Sequence, residues 1–151
     1  MFRLPVFSQL WVPTLALLAL TVPARADIII QNLEFRAGIG GRPGIIFGHL
    51  TNNGARVDRL VGVDSPDARI ELHTHEMRDN IMRMRRVDTF SLAPGTDFVL
   101  KSGGHHLMVF ALAHEEHESP LHLTFRFEHA PAVHAEVSHS SSHKAGHHKH
   151  H

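Results

Sequence analysis

The chain of 151 residues contains no cysteine and no tyrosine. Without cysteine there is no disulfide framework, so the hydrophobic core must stabilise the domain unaided. The same absence excludes thiolate metal sites, including the blue-copper electron-transfer site, which needs a cysteine ligand. A soft metal ion would have to be bound by imidazole and thioether groups, which resist oxidation better than thiolate does.

The chain also lacks an excess of charge of either sign. It has 15 basic and 15 acidic side chains, and no basic stripe that could neutralise phosphates, so we expect no nucleic-acid partner. There is no Gly-x-Ser-x-Gly nucleophile elbow and no other recognisable catalytic constellation. We therefore do not expect an enzyme.

The first 26 residues are predicted to be a secretory signal. Arg3 supplies a basic start, residues 10–22 are mostly apolar, and Ala24-Arg25-Ala26 is a small-residue cleavage site. The apolar run is too short, and too interrupted by Pro13, for a membrane span. We expect cleavage after Ala26 and a soluble mature chain of formal charge −2, since two arginines and no acidic residue are removed. The alternative is an uncleaved membrane anchor.

Residues 27–128 are predicted to form an all-β sandwich. Short β-branched or aromatic runs are separated by turn signals about every eight to twelve residues. No segment sustains the apolar period of about 3.6 residues that would indicate a helix. The predicted strands are Ile28–Ile30, Ile45–Leu50, Val57–Val63, Ala68–His75, Ile81–Val87, Phe98–Lys101, His106–Leu112 and Leu121–Phe127.

Residues 129–151 are predicted to be a flexible, metal-binding tail. Eight of the sixteen histidines lie there, and residues 138–146 are small and polar without periodicity. Imidazole suits Cu(II), Ni(II) and Zn(II), so such a tail could capture Cu(II). Two alternatives remain: an expression tag, although the histidines are interleaved with other residues, or a solubilising tail with incidental metal affinity.

Histidine and methionine cluster in one window of the domain. The four methionines of the mature chain are Met77, Met82, Met84 and Met108, and the histidines of the same window are His73, His75, His105 and His106. Residues two apart on a strand share a face. The pairs that do so are His73 with His75, Met82 with Met84, and His106 with Met108. A sheet could converge them on one patch, but methionine also fills cores, and the residues alone leave both interpretations open.

The donor chemistry favours copper over other metals. Thioether sulfur has little affinity for Zn²⁺, Mg²⁺ or Ca²⁺, whereas Cu(I) accepts it. Zinc sites are normally built from cysteine, histidine and carboxylate. An oxygen-activating copper enzyme would need a His-rich site, because thioethers favour the reduced ion. Binding and delivery of Cu(I) therefore fit this set better than electron transfer or catalysis.

The spacing of His73, Met84, His106 and Met108 resembles the H-x10-M-x21-H-x-M pattern of the periplasmic PCuAC-type copper chaperones. The flanking residues are also similar over roughly residues 27–127. They are Asp58-Arg59-Leu60-Val61-Gly62-Val63, Ser65-Pro66, Glu71-Leu72-His73, Met82-Arg83-Met84-Arg85, Leu100-Lys101-Ser102-Gly103-Gly104 and His106-Leu107-Met108. One departure is Ser102-Gly103-Gly104, where the family usually has Pro-Gly-Gly.

The resemblance implies a cupredoxin-like sandwich or barrel and a Cu(I) site formed by His73, Met84, His106 and Met108 near the surface. It also implies a periplasmic location and delivery of copper to the binuclear centre of cytochrome c oxidase, alongside a Sco-type protein. We expect a monomer. Two alternatives are a periplasmic copper buffer without a dedicated client, and a structural or adhesion sandwich whose His/Met cluster is accidental.

The remaining candidates receive supporting roles. We expect His105 to point away from the ligands, because it neighbours His106 on a strand. His75 and Met77 are interpreted as solvated strand-end residues, although His75 could serve as an alternate ligand during transfer. Met82 is assigned to packing.

Overall fold

The computed structural model describes residues 27–112 and 119–139, and every regular element within these ranges is a β-strand. The ten strands are β1 (Ile28–Arg36), β2 (Gly44–Asn52), β3 (Asp58–Asp64), β4 (Arg69–Arg78), β5 (Ile81–Arg86), β6 (Phe90–Leu92), β7 (Asp97–Leu100), β8 (His106–Phe110), β9 (Leu121–Phe127) and β10 (Val133–Val137). The predicted all-β class is confirmed.

The strands form two sheets. The larger sheet has six strands in the order β1-β2-β8-β4-β5, with β7 paired to the part of β2 that β8 leaves free. The smaller sheet has four strands in the order β10-β9-β3-β6. Alternate residues of β2 are buried along its whole length, as expected for a strand with one face on a core. A single apolar cluster joins residues of both sheets, including Leu50, Leu107 and Phe125.

The hairpin formed by β4 and β5 extends beyond the larger sheet. Residues 69–73 of β4 pair with β8, whereas residues 73–78 pair with β5. The turn residues Asp79 and Asn80 have φ angles of 51° and 62°, and positive φ at both central positions is typical of the tight turn that suits a two-residue hairpin. All six residues of β5 are exposed. The outer half of the hairpin is therefore a two-stranded ribbon.

Two strands were not predicted from the sequence. β6 has three residues, too few to show an alternating pattern. β10 lies beyond residue 128, where the domain was predicted to end. The histidine-rich composition of that region concealed the alternation in which Val133 and Ala135 pack against the core while His134 and Glu136 are exposed.

The predicted domain boundary therefore has to be moved toward the C-terminus. β10 pairs with β9 along its whole length, and Ala130 and Val137 are buried in the core. The buried carboxylate of Asp58 accepts hydrogen bonds from the backbone N–H groups of His129 and Ala130. Residues 129–139 belong to the sandwich and not to a tail. The predicted signal, and the part of the predicted tail from residue 140 onward, lie outside the described residues.

Within the described ranges, no helix has the length and apolar character needed to cross a bilayer.

Candidate metal centre

The two histidines of the predicted site lie directly opposite each other on adjacent strands. β4 and β8 are antiparallel, and their register pairs His73 with His106. The neighbouring pair, Leu72 and Leu107, points into the core. Because successive side chains alternate between faces, both imidazoles lie on the other face of the sheet, with ring centroids 6.1 Å apart.

A backbone hydrogen bond fixes the orientation of the His106 ring. Its Nδ1–H donates to the carbonyl oxygen of Gly104 at 3.0 Å. In a neutral imidazole the other nitrogen, Nε2, then carries a lone pair and no proton. This Nε2 lies 3.2 Å from the Met84 sulfur.

The contact between Nε2 and sulfur has the geometry of two ligands of one ion. Neither atom carries a proton in this tautomer, so the contact is between two electron-pair donors. Metal–nitrogen and metal–sulfur bonds of about 2.0 and 2.3 Å, as for zinc, place two ligand atoms on one ion roughly 3–4 Å apart. His106 and Met84 are therefore already spaced to share a metal ion.

His73 presents a second lone pair. Its Nε2–H donates to a carboxylate oxygen of Glu71 at 2.9 Å. Its Nδ1 is buried and has no hydrogen-bond partner. Buried polar atoms are nearly always paired, so this nitrogen calls for an explanation, and an imidazole–metal bond supplies one. The residues present thus fit a metal ion that accepts imidazole nitrogen and thioether sulfur.

Glu71 positions His73 and was not singled out as a functional residue by the sequence. Its side chain is mostly buried and forms ion pairs with Arg69 and with Arg86, the latter at 3.6 Å. A carboxylate that accepts the second N–H of a ligand histidine fixes its tautomer and its ring orientation. Strand alternation is the sequence signal that points to Glu71, because a residue two positions before His73 shares its face.

The two predicted methionine ligands differ in burial. Met108 lies two residues after His106 and opposite Glu71 on β4, so it occupies the same face. It is 7% exposed, yet it is not part of the main core cluster. Met84 is 48% exposed and is carried by the edge strand β5. The structure thus places all four predicted site residues on one face, three of them buried and one open to solvent.

The environment keeps both histidines in their neutral form. Burial lowers the pKa of His73 below its usual range, and the nearby Arg86 guanidinium lowers it further. Burial also lowers the pKa of His106, and the neighbouring histidines add to that effect, although the Gly104 carbonyl opposes it. Since a protonated imidazole cannot bind a metal, these shifts keep the nitrogen lone pairs available near neutral pH.

His75 lies closer to the site than predicted. It is directly opposite Met84 in the hairpin, and its ring centroid is 5.1 Å from that of His106. Its backbone N–H donates to Gly104 O at 3.2 Å, and its Nδ1 lies 3.4 Å from the same oxygen. His75 is half-buried and not a solvated strand end.

The other supporting candidates differ in how well their positions agree with the prediction. Met82 does not pack in the core, because it is 53% exposed, and this prediction is wrong. Met77 is exposed, as predicted. His105 lies on the face opposite to His106, also as predicted, and its ring stacks on Phe98 at 4.8 Å. Partial burial lowers the pKa of His105.

A hard-metal site is not found in the described part of the chain. No group of three or more histidine, aspartate or glutamate side chains there is arranged to hold a metal ion. The donors that do converge are imidazole nitrogen and thioether sulfur, a combination that suits a soft ion.

Comparisons with known proteins agree with this architecture. Residues 28–138 match the family model described as lipoprotein LpqE-like. The copper-bound PCuAC domain from PmoF2 is 24% identical, with a TM-score of 0.61 over 75% of this chain and 92% of that domain. The apo PCuAC domain from PmoF1 is 21% identical, with the same TM-score and coverage. No curated protein sequence matches the chain.

The structural matches confirm the fold implied by the resemblance to PCuAC proteins. On the match over residues 28–138, the chain belongs to the LpqE-like family.

Proposed function

We propose that the mature protein is a periplasmic copper chaperone that binds one Cu(I) ion through His73, Met84, His106 and Met108. The observation that carries the proposal is the 3.2 Å approach of His106 Nε2 to the Met84 sulfur. The buried, unpartnered Nδ1 of His73 supports it, as does similarity to the PmoF2 domain described as copper-bound.

The donor set explains the choice of metal and oxidation state. Two imidazoles and two thioethers are neutral ligands, and thioether sulfur selects Cu(I) over the harder divalent ions. Binding requires no deprotonation when the histidines are already neutral. Copper can then leave by stepwise ligand exchange on the side of the exposed Met84, toward an acceptor that offers thiolates.

The experiment is an anaerobic Cu(I) titration against a competing chelator. The variant combines Met84→Leu with Met108→Leu, which removes both sulfurs and nearly conserves side-chain volume. The matched control combines Met77→Leu with Met82→Leu. We expect the first variant to lose the tightly bound ion and the control to retain it. Equal affinity in the wild type and the first variant would refute the site.

Delivery to a specific acceptor protein distinguishes a copper chaperone from a copper buffer. We propose delivery to the copper centre of cytochrome c oxidase, with a Sco-type protein acting alongside. The test mixes the Cu(I)-loaded protein with an apo oxidase copper domain and follows the appearance of the binuclear centre by its absorption. Retention of copper by the donor would favour the alternative, a copper buffer without a dedicated client.

We also propose that the C-terminal histidines capture Cu(II). Because β10 completes the smaller sheet, the truncation must follow His139 and not Phe127, so that only residues 140–151 are removed. We expect the truncated protein to bind fewer Cu(II) ions and to keep one Cu(I). Unchanged Cu(II) uptake would contradict a role for the tail.

A further inference from the structure

The β4–β5 ribbon carries soft donors beyond the four proposed ligands. Its register pairs His75 with Met84 and, one step nearer the turn, Met77 with Met82. Both pairs share a face with His73, since the residues of β4 are two apart. Imidazole and thioether groups therefore continue from the buried histidines along one face to the hairpin turn.

The outer methionines do not contribute to the core. Met77 and Met82 are 62% and 53% exposed and lie outside the core cluster. Side chains directly opposite each other in an antiparallel pair have Cβ atoms about 4.5–5.5 Å apart. Two flexible thioethers at that spacing can reach one ion.

His75 can add a nitrogen to these two sulfurs. It lies two residues before Met77 and directly opposite Met84, so it borders both the outer pair and the proposed inner site. Its Nδ1 faces the Gly104 carbonyl at 3.4 Å, which leaves Nε2 as the nitrogen that can bind a metal. Its ring centroid is 5.1 Å from that of His106.

We propose that His75, Met77 and Met82 form a second, outer Cu(I) site that loads and unloads the inner one. The proposal rests on the proposed function in one respect, since the outer ion is taken to be the same Cu(I). The outer site binds more weakly, because its donors lie on an exposed edge and lose side-chain freedom on binding.

Transfer between the sites is ligand exchange without redox chemistry. A bond from copper to His75 or Met82 forms as a bond to His106 or Met108 breaks, and copper remains Cu(I) throughout. All the ligands are neutral, so no proton has to be supplied or removed. Met84 borders both sites and can stay bound during the exchange.

The test follows each methionine separately in the full-length protein. The ε-methyl groups are labelled with ¹³C and assigned by single Met→Leu variants, and Ag(I) serves as a redox-inert substitute for Cu(I). We expect the first equivalent to shift the Met84 and Met108 methyl signals. Further Ag(I) should then shift those of Met77 and Met82. Met77 and Met82 signals that stay unmoved in excess Ag(I) would overturn the outer site.

Failure of the proposed inner site would give a different result in the Ag(I) titration. In that case Met84 and Met108 would not respond to the first equivalent, whatever Met77 and Met82 do. The variant that combines Met77→Leu with Met82→Leu should keep the first step of the titration and lose the second. It should also release Cu(I) to a competing chelator several-fold more slowly than the wild type. An unchanged release rate would overturn the role of the outer site in transfer.

Discussion

His106 Nε2 and the sulfur of Met84 lie 3.2 Å apart, although the first residue is 2% exposed and the second is 48% exposed. The contact therefore joins a rigid, buried donor on β8 to a solvent-accessible donor on the edge strand β5. A site built in this way can hold an ion from the interior while an acceptor approaches from outside.

Replacing either methionine sulfur separately should weaken copper binding without unfolding the protein. For Met84→Leu, we expect a stability change within about 0.5 kcal/mol, because the side chain is exposed. For Met108→Leu, the cost should stay below about 1.5 kcal/mol, because side-chain volume is conserved. Each should lower Cu(I) affinity at least about tenfold, or 1.4 kcal/mol. Chelator competition and urea denaturation measure the two quantities, and unchanged affinity in either variant would remove that sulfur from the site.

Glu71→Ala should weaken Cu(I) binding although Glu71 is not proposed as a ligand. The carboxylate accepts the Nε2–H of His73, and loss of such a partner typically costs about 10–100-fold in metal affinity. Glu71→Gln, which keeps an oxygen acceptor, is the matched control and should lose less. Imidazole ¹⁵N shifts report the His73 tautomer. A tautomer that is the same in both variants would contradict a positioning role.

The pH at which acid weakens copper binding should lie below the usual pKa of histidine. The pKa values of His73 and His106 are lowered, mainly by burial. Protons therefore compete with Cu(I) for these histidines below the usual imidazole pKa of about 6.5. Competition titrations over a series of pH values measure this. A loss of affinity with a midpoint at or above 6.5 would contradict it.

The same pKa shifts predict that the metal-free protein loses stability in acid. Above about pH 6.5 these histidines are neutral in both states and contribute no pH dependence. As the pH falls below that value, the unfolded chain takes up protons that the native state does not, so the free energy of unfolding decreases. Urea denaturation at several pH values measures the slope. An increase in the free energy of unfolding as the pH falls below about 6.5 would contradict this prediction.

Asp58→Ala should destabilise the fold without altering the candidate metal centre. The buried carboxylate accepts the N–H groups of Arg59, His129 and Ala130, and each buried donor left unpaired costs about 1–3 kcal/mol. Asp64→Ala is the matched control, because its ion pair with Arg126 is exposed and worth at most about 1 kcal/mol. Urea denaturation compares the two. Equal destabilisation would contradict the role of Asp58 in anchoring residues 129 and 130.

Strand alternation predicted which candidate residues share a face, because it depends only on local sequence. Alternation places Met108 with His106 on one face and His105 on the other, and the structure agrees. The pairing between strands is not local. The sequence does not specify that His75 lies opposite Met84, and it is this register that brings His75 near the site.

The errors have equally physical origins. The apolar character of methionine predicts packing for Met82, but β5 is an edge strand whose residues are all exposed. A carboxylate near a histidine carries no clear signal in the sequence, and the fold makes Glu71 the partner of His73 Nε2 by burying both side chains. The alternating segment that forms β10 is short and lies in a histidine-rich region, so the sequence does not predict this strand.

For the proposed copper site, the β4–β5 ribbon also sets how much of the molecule would have to move for the ion to leave. From His73 to the turn, β4 pairs with β5, and the backbone hydrogen bond from His75 N–H to the Gly104 carbonyl lies at the base of the ribbon. A hairpin on its own is marginally stable in water, so this arm should open at far lower free energy than the sandwich. Opening would carry Met84 away and leave His73, His106 and Met108 in place. Opening of the ribbon alone would thus lower the affinity for the ion, while the sandwich that carries the other three residues stays folded.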